Sequence, residues 1–379
     1  MSLNANRRLF LTMAGATGVL SASRGLAATT KAPALRYGPD ASVAKLNANE
    51  NPFGPSAAAL EAAAEATSRG AYYVGESVPR LKAMIAERNG VSPGNISLSS
   101  GSSGVLSFFA VAKSKQGRIL GPDLFWDTTA KAAVRQGGEL KYMPKTADLA
   151  IDLDAMLPAI TRDISLVHIT NPNNPTGLLL DPAKLKAFCI EASKKATVLV
   201  DEAYNELTDD PEKHSMVPLI KAGHDVVVAR TFSKIYGLAG MRVGYMIGSE
   251  ANTALIDQYG LGDYAMNQAG VAAAIACYND EKFLAKSKSA IVAAREAVME
   301  ATTSLGLKPL PSATNFVFVD LGDLDAEKFR AAMARQNVLI RGIYRDYTSW
   351  SRVSMGLPRD VDRYIAALPP VLDAVSVTS

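Results

Sequence analysis

The sequence is poor in cysteine, the residue that builds disulfide frameworks and many metal sites. It has 2 cysteines in 379 residues. Cys189 and Cys277 form no Cys-X-X-Cys pair, and both lie in largely apolar segments with helical periodicity. We therefore expect two buried thiols rather than a disulfide or a metal site.

The chain also has little excess charge of either sign. Its formal net charge is +3 at pH 7, and no cluster of Lys and Arg is interleaved with aromatic residues. This argues against a nucleic-acid partner and favours a small-molecule ligand. With 48% hydrophobic residues, the chain is long enough for one large and one smaller core.

The apolar segment near the N-terminus, Leu9–Leu20, is too short to span a bilayer. Twin arginines precede it in NRRLFLT at Asn6–Thr12, and small residues ending in GLAA at Gly25–Ala28 follow it. This order resembles a twin-arginine export signal over residues 1–28, cleaved at its end. It predicts a periplasmic protein; the alternative is a tail with an accidental arginine pair on a cytoplasmic protein.

Beyond this segment, strand-like and helix-like runs alternate, which predicts an α/β fold with a mostly parallel sheet covered by helices on both faces. We expect an extended N-terminal arm over residues 29–55, a large domain over 56–280, and a smaller C-terminal α/β domain over 281–379 that begins with a long helix. The strand-like runs of the large domain are NISLSS, GRILG, LKYM, ISLVHIT, ATVLVD, DVVVART and MRVGYMIG.

Four polar segments follow strand-like runs, at the sheet edge where α/β proteins bind their ligands. They are SSGSSG at Ser99–Gly104, NPNNPTG at Asn171–Gly177, DEAY at Asp201–Tyr204 and TFSK at Thr231–Lys234. Taken singly, they can also be read as a helix cap, a stiff turn or a solvated helix start. Their occurrence together and in this order is far more specific.

In this order the four segments resemble the fold-type-I (class I and II) aminotransferases that use pyridoxal 5'-phosphate, and in particular their histidinol-phosphate aminotransferase branch. NENPFGP at Asn49–Pro55 and SRVSMG at Ser351–Gly356 match that branch too. The resemblance extends from about Leu46 to the last helix. It implies a large cofactor-binding domain, a smaller C-terminal domain and a homodimer with shared active sites.

The resemblance also implies the catalytic residues, namely Lys234, Asp201 and Tyr204. Lys234 would form an imine with the cofactor aldehyde, and the nearby Arg242 would help to keep its amine deprotonated by lowering its pKa. Asp201 would keep the pyridine nitrogen protonated, so that the ring can accept electrons. Tyr204 and Asn174 match residues that hydrogen-bond the ring hydroxyl.

The remaining cofactor contacts follow from the same resemblance. An aromatic side chain stacks on the ring in the family, and in PDLFWDTT the spacing back from Gly137 favours Trp126 over Phe125. The cofactor phosphate would bind two hydroxyls, one guanidinium and three backbone amides at a helix N-terminus, from Thr231, Ser233, Arg242, Gly101, Ser102 and Ser103.

Several residues match the family's substrate contacts. Arg352 matches the arginine that pairs with the substrate α-carboxylate, and Asn49 lies where the N-terminal arm lines the site. Arg341 matches an arginine that binds the phosphate of histidinol phosphate, and Tyr264 and Asn267 fall in the corresponding segment. The implied reaction moves an amino group from an amino acid, or an amino alcohol phosphate, to a 2-oxo acid.

Tyr73 aligns with a tyrosine that reaches the cofactor phosphate of the neighbouring subunit. The chain departs from the family where Gly-Ser-Asp-Glu is replaced by the GSSG at 101–104 and Arg-Tyr-Pro by the YYV at 72–74. These departures and the export signal favour a donor other than histidinol phosphate. A decarboxylase or lyase on the same scaffold, and a non-catalytic ligand-binding protein, are the alternatives.

Overall fold

The structure is a computed structural model that describes residues 37–376. The predicted export signal at residues 1–28 and the first part of the predicted arm lie outside the described residues. All elements below belong to one compact unit that begins at Pro39.

The described residues form strands and helices that alternate along most of the chain. The strands are β1 Ala44–Leu46, β2 Ile96–Ser100, β3 Arg118–Pro122, β4 Leu140–Met143, β5 Ile164–Thr170, β6 Thr197–Asp201, β7 Val226–Thr231, β8 Val243–Ile247, β9 Lys308–Pro309, β10 Phe316–Asp320, β11 Val338–Ile340 and β12 Trp350–Ser354. The helices are α1 Ala57–Thr67, α2 Ser77–Asn89, α3 Ser102–Ser114, α4 Ala130–Val134, α5 Leu153–Met156, α6 Pro182–Ala192, α7 Pro211–His214, α8 Val217–Lys221, α9 Glu250–Tyr259, α10 Gln268–Tyr278, α11 Glu281–Ser304, α12 Ala326–Arg335 and α13 Pro358–Ser376.

The large sheet has seven strands in the order β2-β8-β7-β6-β5-β3-β4. Only β8 runs antiparallel to its neighbours, β2 and β7. The predicted mostly parallel α/β sheet is confirmed, and each of the strand-like runs that predicted it overlaps one of its strands.

Both faces of this sheet are buried. On β6, Val198 and Val200 belong to one apolar cluster, while Leu199 between them belongs to a cluster on the opposite face. Successive side chains of a strand point to opposite faces, so a continuous apolar run such as the VLV at 198–200 is what a sheet covered on both sides requires. The polar ends of β5, β6 and β7 then lie at one edge.

The C-terminal part carries a smaller antiparallel sheet in the order β12-β10-β9, and β1 pairs in parallel with β11. This pairing holds part of the predicted N-terminal arm, Ala44–Leu46, against the C-terminal part, next to the strand that carries Arg352. The domain boundaries drawn from the sequence stay a prediction.

The two thiols are free and buried, as expected: Cys189 lies in α6 and Cys277 in α10. Burial raises the pKa of Cys277 to about 12. Within residues 37–376, no group of His, Cys, Asp and Glu is arranged to hold a metal ion. No helix in that range is both long and apolar enough to cross a membrane.

Candidate active site

A cavity of about 290 Å³ lies at the carboxyl ends of β5, β6 and β7 and at the N-terminus of α3. Parallel strands end there, so residues distant in sequence converge on one place. Most of the predicted site residues line it: Asn49, Ser102, Ser103, Trp126, Asn174, Asp201, Tyr204, Thr231, Ser233, Lys234, Arg242, Arg341 and Arg352.

Lys234 stands just beyond β7, with its ammonium group inside the cavity. Its Nζ donates to the backbone carbonyl of Asn49 at 3.0 Å and lies 5.5 Å from the centre of the Tyr204 ring. Desolvation, followed by the positive charge of Arg352, lowers the pKa of Lys234 to about 8. With this pKa, about a tenth of the amine is unprotonated at pH 7, and the unprotonated form is the one that a nucleophile or a base requires.

Asp201 is the last residue of β6 and is buried. Its Oδ1 accepts one hydrogen bond, from the Ala203 amide at 3.2 Å. Burial raises the pKa of Asp201 to about 7, against the smaller opposing effects of that hydrogen bond and of Lys234. A buried carboxylate with a raised pKa binds a cationic ligand atom favourably, which suits a protonated ring nitrogen.

The Tyr204 hydroxyl is fixed from two sides. Asn49 Nδ2 donates to it at 2.9 Å and Asn174 Nδ2 at 3.3 Å. Because both amides donate, the phenol keeps its own proton for a ligand. Burial raises the pKa of Tyr204, so this side chain is a neutral donor at physiological pH.

An anion-binding cradle forms where β2 meets α3. Gly101 has φ 79° and ψ 158°, a conformation essentially reserved for glycine. A Cβ at this position would lie 2.1 Å from Arg242 Nη2. The first-turn amides of Ser102 and Ser103 therefore lie beside a guanidinium that can approach only because residue 101 lacks a side chain.

The Arg242 side chain is held in place by two hydrogen bonds. Its Nη1 donates to the carbonyl of Ala239 at 2.9 Å and to Ser233 Oγ at 3.4 Å. A helix N-terminus, a guanidinium and hydroxyl groups form a donor set that suits a phosphate dianion. Together with Asp201 and Lys234, these residues fit pyridoxal phosphate.

The two aromatic candidates for ring stacking are separated by the fold. Trp126 lines the cavity, whereas Phe125 is buried against His168, with ring centroids 5.1 Å apart. Phe125 also fills the space over Gly121, where a Cβ would lie 2.7 Å from its ring. Trp126 is thus the residue placed to contact a ring in the cavity; the stacking itself stays a prediction.

Four predicted residues do not line the cavity. Gly101 is one of them and directly precedes the lining residue Ser102. Tyr73 and Tyr264 are 82% and 80% exposed and contact each other edge to face, with ring centroids 5.9 Å apart. Asn267 caps α10 by accepting from the Gly270 amide at 2.6 Å. Tyr73 is predicted to reach the cofactor phosphate of a neighbouring subunit, so its place in a single chain does not test that role. The roles of Tyr73, Tyr264 and Asn267 stay predictions.

Sequence reasoning missed several lining residues. Thr170 ends β5 and its buried Oγ1 has no hydrogen-bond partner among the described residues; the strand-end rule could have found it. Asn47 and Glu50 come from the N-terminal arm. Tyr344 lies in the loop between β11 and β12, where no periodicity predicts side-chain direction.

Comparison with known proteins agrees with this geometry. The family model "Aminotransferase class I and II" matches residues 41–368. Histidinol-phosphate aminotransferase 1 of Cupriavidus pinatubonensis is 35% identical over 336 residues, covering 88% of this chain and 89% of that protein. The Moorella thermoacetica histidinol-phosphate aminotransferase is 33% identical over 333 residues, covering 87% and 86%.

A solved structure is similar as well. The histidinol-phosphate aminotransferase of Sinorhizobium meliloti in complex with pyridoxal-5'-phosphate superposes with a TM-score of 0.79 at 31% identity. The match covers 90% of this chain and 96% of that one.

Proposed function

The chain belongs to the class I and II aminotransferases, and on this premise we propose that it transfers amino groups from donors that carry an anionic group distant from the amine, either a phosphate or a side-chain carboxylate. It is a pyridoxal-phosphate-dependent transaminase. We infer this substrate class from two arginines, Arg341 and Arg352, that line the same cavity as Lys234. Their backbones pair with each other, Arg341 N donating to Arg352 O at 3.1 Å.

Different residues of the site have different roles in transamination. When bound, the cofactor supplies a carbonyl that takes amines and a ring that accepts electrons. Ser233, Arg242 and the amides of Ser102 and Ser103 would hold its phosphate, and Asp201 would stabilise the positive charge of its protonated ring nitrogen. Lys234 holds the cofactor and moves a proton at the substrate Cα as general base and acid.

The two arginines then select the substrate. Arg352 is buried on β12 and binds an α-carboxylate, while Arg341 is exposed at the cavity mouth and binds a second anionic group, a phosphate or a distal carboxylate. Relatives named histidinol-phosphate aminotransferase make that amino alcohol phosphate one candidate donor. Because the relatives are named aminotransferases, transamination is favoured over the decarboxylase or lyase alternative.

A donor panel tests the substrate class. Amino acids with and without a side-chain anion, and histidinol phosphate, are assayed with a 2-oxo acid acceptor, for the wild type and for Arg341→Gln. We expect Arg341→Gln to raise KM for donors with a phosphate or a side-chain carboxylate and to leave KM for alanine unchanged. Equal KM changes for both classes would contradict the role of Arg341.

We also propose a homodimer in which Tyr73 reaches the other protomer's cofactor site. Support comes from a group of exposed apolar side chains, since large exposed apolar patches mark interaction surfaces: Tyr72, Tyr73, Leu261 and Tyr264 are 71%, 82%, 75% and 80% exposed. Light scattering should give the mass of two chains, and Tyr73→Phe should weaken cofactor binding. A monomer with full cofactor affinity would contradict the proposal.

Residues 1–28 are proposed to direct export to the periplasm. The support is the order of twin arginines, apolar segment and small residues in the sequence. Replacing Arg7 and Arg8 together with lysine should leave the protein in the cytoplasm, as seen by fractionation. A full-length wild-type protein in the cytoplasm would contradict export.

A further inference from the structure

The hydroxyl of Tyr344 contacts Arg352, the arginine assigned to the substrate carboxylate. Arg352 Nη1 donates to Tyr344 Oη and also to Asn174 Oδ1 at 2.8 Å. An Nη group has two hydrogens, so both hydrogens of Nη1 are engaged within the protein. Nη2 donates to the carbonyl of Asn47 at 3.4 Å.

The other edge of this guanidinium is closed to substrate. Arg352 Nε is buried and has no partner among the described residues. One face of the group lies over the Phe316 ring, with 5.0 Å between Cζ and the ring centre. A carboxylate that binds in the bidentate manner must therefore approach the two Nη atoms, where the Tyr344 hydroxyl lies.

The Tyr344 ring is also close to both arginines of the site. Its ring centre is 5.4 Å from Arg352 Cζ and 5.6 Å from Arg341 Cζ. Its ring meets Phe318 edge to face, with centroids 6.1 Å apart. The phenol is thus adjacent to both proposed anion-binding groups.

The loop that carries Tyr344 is held in place by the next residues of the same loop, Arg345 and Tyr347, which both contact Asp123. Arg345 Nη2 lies 3.1 Å from Asp123 Oδ1, and the Tyr347 hydroxyl donates to Asp123 Oδ2 at 2.5 Å. The loop backbone is thereby tied to the segment that follows β3. These contacts do not involve the Tyr344 hydroxyl.

We propose that Tyr344 determines donor specificity by occupying the carboxylate-binding end of Arg352. Donors with an α-carboxylate must displace its hydroxyl, whereas donors without one leave it in place as the acceptor for Arg352. The enzyme thereby discriminates against α-amino acids relative to amino alcohol phosphates. This inference rests on the proposed function, because Arg352 acts on substrate only in a transaminase.

The test compares holoenzymes of the wild type, Tyr344→Phe and the control Tyr347→Phe. Tyr347 lies on the same loop but bonds Asp123, so its variant controls for the loss of a loop hydroxyl. Three ligands are used: L-glutamate, which has an α-carboxylate; L-histidinol phosphate, which has none; and maleate, a dicarboxylate that cannot donate an amino group.

Tyr344→Phe should lower KM for L-glutamate about tenfold, the effect of removing one competing hydrogen bond to a charged group. The Kd for maleate, measured by calorimetry, should fall by a similar factor. KM for L-histidinol phosphate and the kcat values should change little. Tyr347→Phe should match the wild type with all three ligands, because the Arg345–Asp123 ion pair still holds the loop.

A Tyr344→Phe enzyme whose KM for L-glutamate and Kd for maleate are unchanged would overturn the inference. A rise in both would also overturn it, because the hydroxyl would then be a donor to substrate rather than a competitor. If the wild type transfers no amino group from either donor, the proposed function fails instead. The maleate affinities then still decide the role of Tyr344.

Discussion

Replacing Gly101 with alanine tests the phosphate cradle at its narrowest point. The backbone here, at φ 79° and ψ 158°, lies in a region that costs a residue with a side chain about 1–3 kcal/mol. The new methyl group would also lie 2.1 Å from Arg242 Nη2. Because that atom is the end of a flexible side chain, the guanidinium moves and the backbone of β2 and α3 stays.

Two separate losses follow from this geometry. The apo-protein should lose about 1–3 kcal/mol of unfolding free energy from backbone strain. The displaced guanidinium should weaken one charge-assisted hydrogen bond to the cofactor phosphate, which raises the cofactor Kd about 10- to 100-fold. Urea unfolding measures the first loss, and quenching of Trp126 fluorescence during cofactor titration measures the second.

Gly240→Ala is the matched control. Gly240 lies in the same region, close to Arg242, but a Cβ there meets no atom within 4 Å and its φ is not positive. It should bind the cofactor as the wild type does. A folded Gly101→Ala protein with wild-type cofactor affinity would refute the cradle.

Three further predictions concern charge. Asp201→Asn should lower kcat about 10²- to 10³-fold while the cofactor stays bound, because it removes the charge that stabilises the electron-accepting ring; a kcat within a few-fold of wild type would contradict this. Since the pKa of Lys234 is lowered to about 8 and only the unprotonated amine attacks a carbonyl, covalent capture of the cofactor by apo-protein should accelerate as pH rises through about 8 and level off above it. A rate that is flat from about pH 6 to 9 would contradict that pKa. Arg230→Met leaves the buried Glu202 carboxylate without its partner at 2.8 Å and should cost about 3–5 kcal/mol in urea unfolding, whereas Lys184→Met, which breaks an exposed ion pair, should change little.

The large sheet was predictable because its strands are apolar on both faces and end in turn residues. The same property predicted where the site lies, since β5, β6 and β7 each run straight into a polar motif at the sheet's carboxyl edge. The pairing of β1 with β11 was not predictable: β1 has three residues, too few for a periodic pattern, and its partner is nearly 300 residues away in the register of Ala44 with Val338.

The segments that form the site could be predicted from the sequence, but which side chains of a loop face the cavity could not. Trp126 and Phe125 are adjacent and both aromatic, and only the cleft over Gly121 that Phe125 fills decides which one faces the cavity. Tyr344 contacts Arg352 through the conformation of a loop whose anchor, Asp123, is distant in sequence. No local propensity encodes such contacts, because they depend on where other elements place their partners.

The central claim is that Lys234 makes this chain a transaminase, and a single titration tests it most directly. The absorption of the cofactor bound to purified protein is followed as amino donors are added, and then as a 2-oxo acid is added. We predict that a donor shifts the absorption and releases one 2-oxo acid per site, that the acceptor reverses the shift, and that Lys234→Ala does neither. An unshifted spectrum with every donor, or normal transfer by Lys234→Ala, would contradict the claim.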